Sequence, residues 1–285
     1  MNLFHVIVLA IVQGLAELLP VSSSAHVVVT EELLGLDPSS PPMTLLLVML
    51  HTGTMFAVIV YFWQQWRRTY FHSLPAFKKF AGAVVLATVL TGIVGGGLYV
   101  LIEHTLFRSR PHAQIEDLFG RLDLIAPALA AAGILIVIAG LFERRRAALH
   151  IAASDLDTRQ AGIIGAVQGL SLPFRGFSRS GATISAGILL GVTKARAEIF
   201  SFALAVVLTP PVVAREALRL YRADTGADLG AIVVRTVFGA LIAFFAGLLA
   251  LKWLSSWLER GRWHLFGIYC LAAAIVVALL YHAGY

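Results

Sequence analysis

Charge is scarce in this 285-residue chain: Asp, Glu, Lys and Arg together make up 13% of it, where a soluble domain carries about 25%. Short alternating apolar–polar segments are also missing, which excludes a transmembrane β-barrel. There is one cysteine, Cys270, inside an apolar run, so neither a disulfide framework nor a Cys-based metal site is available. The N-terminal MNLFHVIVLA has no basic leader region and no small-residue cleavage pattern, and reads as retained structure. What the chain has in abundance is apolar length. It is 59% hydrophobic with mean hydropathy +0.84, and apolar runs longer than a soluble core helix needs recur throughout. These features predict an all-α polytopic membrane protein. The net charge of +6 is no nucleic-acid signal, because the basic residues lie between apolar spans, where they orient the protein and meet anionic membrane lipids.

Two apolar stretches are broken. Residues 2–19 have helical period and end at Pro20. Residues 22–34 form a second short helix that Ser22, Ser23 or Ser24 caps and Gly35 ends. Neither piece reaches the roughly 20 apolar residues a crossing takes, so the pair is predicted to enter and leave on one side. The loop LDPSSPP at 36–42 follows. Spans are predicted over about 43–63, with Trp63 and Trp66 suited to its interface end, over 80–102, where Gly92, Gly95, Gly96 and Gly97 invite close helix contact, and over 121–142. The loop at 103–120 is mixed in charge. The second half repeats the plan: short apolar helices at 160–172 and 179–191, broken near Pro173, then spans over 197–218, 229–252 and 263–283.

The repeat shows in the letters as well. Val12-Gln13-Gly14-Leu15 returns as Val167-Gln168-Gly169-Leu170, and each copy is followed by a proline and a serine-rich turn. The expected fold is a single membrane domain over 1–285 with an inverted-topology repeat, one copy over about 1–145 and the other over about 155–285. Each half is a re-entrant broken-helix hairpin plus three transmembrane helices. That plan places a binding site near the midplane where broken helices meet. Most of the 22 Lys and Arg, among them Arg67, Arg68, Lys78, Lys79 and Arg144 to Arg146, fall on the side of the 64–79 loop, which marks it as cytoplasmic. Hairpin one then opens to the outer face and hairpin two to the cytoplasm.

Candidate chemistry gathers on the two breaks. Gln13 and Glu17 share a helix face, and a carboxylate at membrane depth calls for a partner or a cavity. Its readings are metal ligation, proton transfer at a phosphate, or a packing hydrogen bond. Ser22, Ser23 and Ser24 combine hydroxyls with free N–H groups at a helix start, which suits an anion or a plain cap. His26, one turn on, is a candidate nucleophile or general acid–base. In the second break Arg179, flanked by Ser178 and Ser180, presents a planar fork to phosphate. Arg175 is either a second phosphate ligand or a snorkelling cation, and Thr183 either a donor or bonded back into its own helix. His51 on the first span reads either as packed against a hairpin or as lining the site, and Glu198 beside Arg196 as an interface residue. A carboxylate plus arginine implies a negatively charged group with a divalent cation between them, and apolar walls imply a lipid tail. Composition and spacing lead to a lipid phosphate or diphosphate.

These stretches resemble the undecaprenyl-diphosphatase family, the bacterial integral-membrane phosphatases linked to bacitracin resistance. The family's first motif, Glu or Gln, three residues, Glu, then PVSS and a His, stands here as Gln13, Glu17, Pro20-Val21-Ser22-Ser23 and His26. Its PGxSRSG-like turn with Ala-Thr stands as Pro173, then Gly176-Phe177-Ser178-Arg179-Ser180-Gly181-Ala182-Thr183. Gln13 takes the first acidic position, and Phe174-Arg175 is inserted between the proline and the glycine. The resemblance implies hydrolysis of undecaprenyl diphosphate to undecaprenyl phosphate, recycled as the carrier for peptidoglycan synthesis. It implies a bacterial inner (plasma) membrane location, a site open to the periplasmic face, and a divalent cation, Mg²⁺ or Ca²⁺. Glu17 with Gln13 is expected to hold that cation, while Arg179 and the hairpin N–H groups clamp the diphosphate. Gln13, Ser22, Ser24, Arg175, Ser178, Ser180 and Thr183 are expected to line the substrate, and a Ser23–His26 pair to supply the nucleophile. A homodimer is compatible with this reading. The rival from another class is a lipid-phosphate transporter, since inverted repeats with broken helices also build carriers.

Overall fold

The computed structural model describes residues 2–37, 40–106, 120–222 and 229–284. Pro38 and Ser39 of the 36–42 loop, and most of the mixed-charge loop at 103–120, lie outside the described residues. Ten helices follow in order: α1 (Leu3–Leu18), α2 (Ser23–Leu33), α3 (Pro41–Thr69), α4 (Leu74–Leu106), α5 (Leu122–Ala148), α6 (Thr158–Ser171), α7 (Arg179–Leu189), α8 (Lys194–Arg222), α9 (Leu229–Glu259) and α10 (Trp263–His282). Among the described residues the only β pairing is an isolated bridge between Ser154 and Val192. The chain is all-helical, as its composition requires.

Five helices, α3, α4, α5, α9 and α10, are long and apolar enough to cross a membrane. The stretch 197–218 also folds as a helix, α8, but is not one of these five. The helices α3, α4, α5 and α9 run several residues past the apolar windows read from sequence. Their extra turns are rich in Gln, Arg, Lys and Glu, good helix formers that need no hydrocarbon around them. The short helices are a different class. α1 and α2, of 16 and 11 residues, are about 24 and 16 Å long at 1.5 Å per residue, against a hydrocarbon core of about 30 Å. They pack on each other, as do α6 and α7.

The helices form two compact units, each assembled from separate stretches of the chain. The first comprises Met1–Leu19, Ser23–Gln64 and Ala205–Leu254. Its core sets Val6, Leu9 and Ala10 of α1 and Val27 of α2 against Met43, Leu46 and Leu50 of α3 and Ala243 of α9. Small residues bring the backbones close: a methyl added at Gly14 would stand 2.8 Å from the Ala243 carbonyl oxygen of α9, and one at Gly53 would collide with the carbonyl of Ala240.

The second unit comprises Pro20–Ser22, Gln65–Leu204 and Ser255–Tyr285. Here α6 lies on α4, α7 on α5, and α5 on α10. Val84 and Ala87, Ala161 and Ile164, Ala186, Phe200 and Leu204 form its core. Gly169 sits on α4 as Gly14 sits on α9, with an added methyl 2.9 Å from the Thr91 carbonyl oxygen. Of the four α4 glycines expected to make close contact, Gly95 does so, against Leu172 and Gly169, whereas Gly92, Gly96 and Gly97 face open space. They fall on the exposed side of α4. Trp66 also departs from expectation: it is buried and donates its indole N–H to the Ile199 carbonyl at 3.5 Å, while Trp63 stays 48% exposed. Between α3 and α4, Tyr70 stacks on Phe80 with ring centroids 3.9 Å apart. Burial pushes its hydroxyl up to about 12, against the pull of Arg196, whose guanidinium lies 5.6 Å from the ring centroid and pairs with Asp155 at 3.1 Å.

Gly165 has the tightest seat in the second unit, directly on the Ala87 backbone of α4. Gly165→Ala is expected to lower the melting temperature of the detergent-solubilised protein by several degrees, corresponding to overpacking of about 1–3 kcal/mol. Gly82→Ala, where nothing lies within 4 Å, should leave it unchanged or slightly higher.

Candidate active site

In the first hairpin, α1 stops for a local reason. Pro20 has no N–H to continue the ladder, and its ring pushes Leu19 out of the helical region, to φ −79° and ψ 150°. Leu19 makes the last bond, its N–H donating to the Leu15 carbonyl at 3.1 Å. Ser22, 5% exposed, turns the chain with φ 67°, a left-handed conformation uncommon outside glycine. α2 then begins at Ser23. The Pro20 carbonyl accepts the Cys270 S–H at 3.4 Å, which gives the chain's one cysteine a structural task at the break.

Within the first unit, this geometry converges on one atom. Gln13, 1% exposed, donates its amide N–H to Glu17 Oε2 at 3.1 Å. Ser23, the first residue of α2, donates its hydroxyl to the same Oε2 at 2.5 Å. His51, from the middle of α3, brings Nε2 to 3.7 Å from the same oxygen. The sequence expectation joined Gln13 with Glu17, and the structure brings Ser23 to the same carboxylate. The Ser23 hydroxyl points at Glu17, whereas the sequence reading joined it to His26, which lies one turn further along α2.

In the second hairpin, Ser178 is the N-cap of α7: its Oγ accepts the Gly181 N–H at 3.1 Å. Arg179 is therefore the first helical residue, placed by the cap. Gly176 enters the turn with φ 102°, and a methyl there would lie 2.5 Å from the Ile125 carbonyl oxygen, so both backbone and space demand glycine. Thr183, fully buried, donates back to the Arg179 carbonyl at 2.8 Å and shares a 2.6 Å contact with Ser201 of α8. Ser180 is buried, and Arg175 and Arg179 are partly exposed. Gln168, the repeat's counterpart of Gln13, bonds Thr91 of α4 at 3.1 Å and holds no carboxylate.

Three acidic groups behave differently from their sequence readings or were passed over. Glu198, read as an interface residue, is 6% exposed and accepts the Ser255 hydroxyl at 2.6 Å. Glu143 of α5 is paired with Lys194 at 3.0 Å. Glu31 of α2 is 1% exposed. Only their helix-face positions carried a signal, and the partners of Glu198 and Glu143 come from distant segments.

A serine hydroxyl held on a carboxylate at a helix break, in an all-helical chain with five apolar spans, defines a polytopic membrane protein equipped for nucleophilic or proton-transfer chemistry. The chain belongs to the family described as bacitracin resistance protein BacA, whose profile matches residues 6–276. It is 56% identical over 286 residues to a protein of Acinetobacter baylyi named undecaprenyl-diphosphatase 2, with 98% of each chain covered. Proteins of the same name from Burkholderia ambifaria and Burkholderia thailandensis are each 33% identical, over 96% of this chain and 95% of theirs.

The turn that presents Arg179 depends on Gly176. Gly176→Ala is expected to cost about 1–3 kcal/mol through combined backbone strain and overlap, seen as a fall in detergent melting temperature. Gly35→Ala, at φ 61° but with no atom within 4 Å, should show a smaller fall.

Proposed function

We infer that this chain hydrolyses undecaprenyl diphosphate to undecaprenyl phosphate and phosphate, the activity for which its relatives are named. The observation that carries this reading is the 2.5 Å hydrogen bond from Ser23 to Glu17 Oε2. A serine hydroxyl is a weak nucleophile until a base takes its proton. Here a carboxylate already holds that proton's hydrogen bond and is itself fixed by Gln13. In the proposed reaction Ser23 Oγ attacks the terminal phosphorus while its proton passes to Glu17. The bond to the bridging oxygen breaks, and undecaprenyl phosphate leaves. Water then attacks the phosphoserine, giving up a proton to His26, and Ser23 departs with the proton held by Glu17, releasing inorganic phosphate.

Arg179 is assigned to the diphosphate oxygens because a fixed guanidinium stabilises the charge that develops in phosphoryl transfer. Arg175, Ser22, Ser24 and Ser180 remain proposed substrate contacts. Ser178 and Thr183 have their hydroxyls engaged by the chain itself, which favours a supporting role for both.

A divalent cation, Mg²⁺ or Ca²⁺, is part of the proposal, but Gln13 and Glu17 do not fit as its paired ligands. Gln13 turns its N–H, not its oxygen, toward Glu17, and Oε2 already faces Gln13, Ser23 and His51. Among the described residues no group of three or more His, Cys, Asp or Glu side chains gathers to hold a metal. We propose that the cation enters on the diphosphate, as Mg²⁺ commonly does, and no step above runs through it.

The inverted repeat is proposed on the matching seats of Gly14 on α9 and Gly169 on α4. The inner-membrane location and outward-facing site are proposed on the family resemblance and the basic cytoplasmic loops. The expected outcome is recycling of the lipid carrier for peptidoglycan synthesis and bacitracin resistance. The transport reading gains no support from the relatives.

Purified protein should release phosphate from undecaprenyl diphosphate. Glu17→Ala, Ser23→Ala and Arg179→Ala should each lower turnover by about 100-fold or more while the protein remains folded. Near-parental turnover in any of the three would remove that residue from the mechanism. Phosphate release should fall on chelation and recover with Mg²⁺ or Ca²⁺.

A further inference from the structure

We propose that the seam between α4 and α6 binds an anionic glycerophospholipid with a hydroxyl-bearing headgroup, its phosphate between Lys79 and Arg159 and one acyl chain along the two helices. The site uses none of the residues assigned to the reaction. Two hollows meet there. The first, of about 540 Å³, is lined by Leu86 and Leu90 of α4 and by Gly162, Ile163 and Ala166 of α6, with Arg159 one turn before them. Small residues leave this space open: a methyl at Gly162 would already stand 3.1 Å from Leu90 Cδ1. The second, of about 270 Å³, gathers Tyr70, His72, Lys79, Asp155, Asp157 and Arg196. Thr158 borders both hollows.

Charge selects the occupant. The acids of the second hollow are already engaged: Asp155 pairs with Arg196 at 3.1 Å, and Asp157 caps α6 by accepting the Gln160 N–H at 2.7 Å. Lys79 and Arg159 are exposed and have no ion-pair partner among the described residues. One such cation therefore stands at each hollow, on either side of the shared Thr158, and an anion between them meets both. The apolar hollow belongs to a helix long and apolar enough to span the membrane, so hydrocarbon surrounds it and a lipid chain fills it. From Thr158 to Ala166 it follows α6 for about 12 Å at 1.5 Å per residue, under half of a hydrocarbon core of about 30 Å. It thus takes the part of a chain nearest the headgroup. A prenyl monophosphate has nothing beyond its phosphate and would leave the polar hollow empty. A glycerol headgroup fits that hollow, because its hydroxyls can donate to Asp155 and Asp157, whose carboxylates keep lone pairs beyond those in use.

The test titrates the purified full-length protein in detergent with phosphatidylglycerol, phosphatidylcholine or undecaprenyl phosphate and counts bound lipid by native mass spectrometry. The parent should bind phosphatidylglycerol at least about 5-fold more tightly than phosphatidylcholine. Lys79→Gln and Arg159→Gln should each weaken phosphatidylglycerol about 5-fold, the scale of one basic side chain at an anionic surface. Lys78→Gln removes the same charge next door but lines neither hollow, and should change binding less than about 2-fold. Ala166→Leu fills the apolar hollow with every charge kept, and should weaken phosphatidylglycerol about 10-fold. Ile163→Ala, at an exposed position, should weaken it about 3-fold through lost chain contact, and decides this arm if the Ala166 variant does not fold. Equal affinity for the two glycerophospholipids overturns the proposal. So does an equal loss in Lys78→Gln and Lys79→Gln, or parental binding in a folded variant of the apolar hollow. Tighter binding of undecaprenyl phosphate than of phosphatidylglycerol, lost in Lys79→Gln and Arg159→Gln, overturns the assigned occupant.

Discussion

The break at Pro20 is the constraint on which the site depends. A helix interrupted within apolar surroundings exposes peptide groups that hydrocarbon cannot satisfy, and each unsatisfied group costs several kcal/mol. The chain answers locally. Leu19 still donates to Leu15, and the Pro20 carbonyl accepts from Cys270. Ser22 adopts φ 67° to aim the backbone into α2. With the break fixed this way, the first residue of the new helix falls beside the last turn of the old one. Ser23 reaches Glu17 because the turn between them is short, so the proline that ends α1 also creates the Ser23–Glu17 contact.

The two hairpins show how one packing solution serves different ends. Gly14 and Gly169 each allow a neighbouring helix to approach to backbone distance, α9 in one unit and α4 in the other. The glutamines just before them diverge. Gln13 donates to a carboxylate one turn later, while Gln168 has no carboxylate in its tail and bonds the Thr91 hydroxyl of α4 instead. In the second hairpin a charged side chain stands past the break instead, Arg179 behind the Ser178 cap. The shared letters thus record a shared helix seat, and the function lies in what each copy adds to it.

Local rules made the fold largely legible. Both hairpins fell within one to two residues of their sequence boundaries because proline and serine act through neighbouring backbone, which a sequence displays. The Gln13–Glu17 pair was legible for the same reason, since one helix turn holds both, whereas the contact from Ser23 across the break to Glu17 was not. Contacts made at a distance were not legible. The four α4 glycines look alike in sequence, yet only the helix face decides that Gly95 meets α6 while Gly92, Gly96 and Gly97 face outward. Trp66 and Glu198 resemble interface residues until Ile199 and Ser255 are seen beside them. His51 could be placed near a hairpin from the sequence, but not beside Glu17 in particular, because the two lie on different helices.

Glutamine at position 13 is best understood through the demands of a single ionised carboxylate away from bulk water. A second carboxylate in its place would stand one helical turn from Glu17 and face it with like charge, tolerable only with a cation bound between them. An amide does the opposite. It supplies a donor to Glu17 from within α1, worth about 1.5–3 kcal/mol when the acceptor is charged, and leaves the carboxylate able to accept from Ser23 with no metal in place. Where a second acidic residue would direct Glu17 toward an ion, this chain directs it toward its serine.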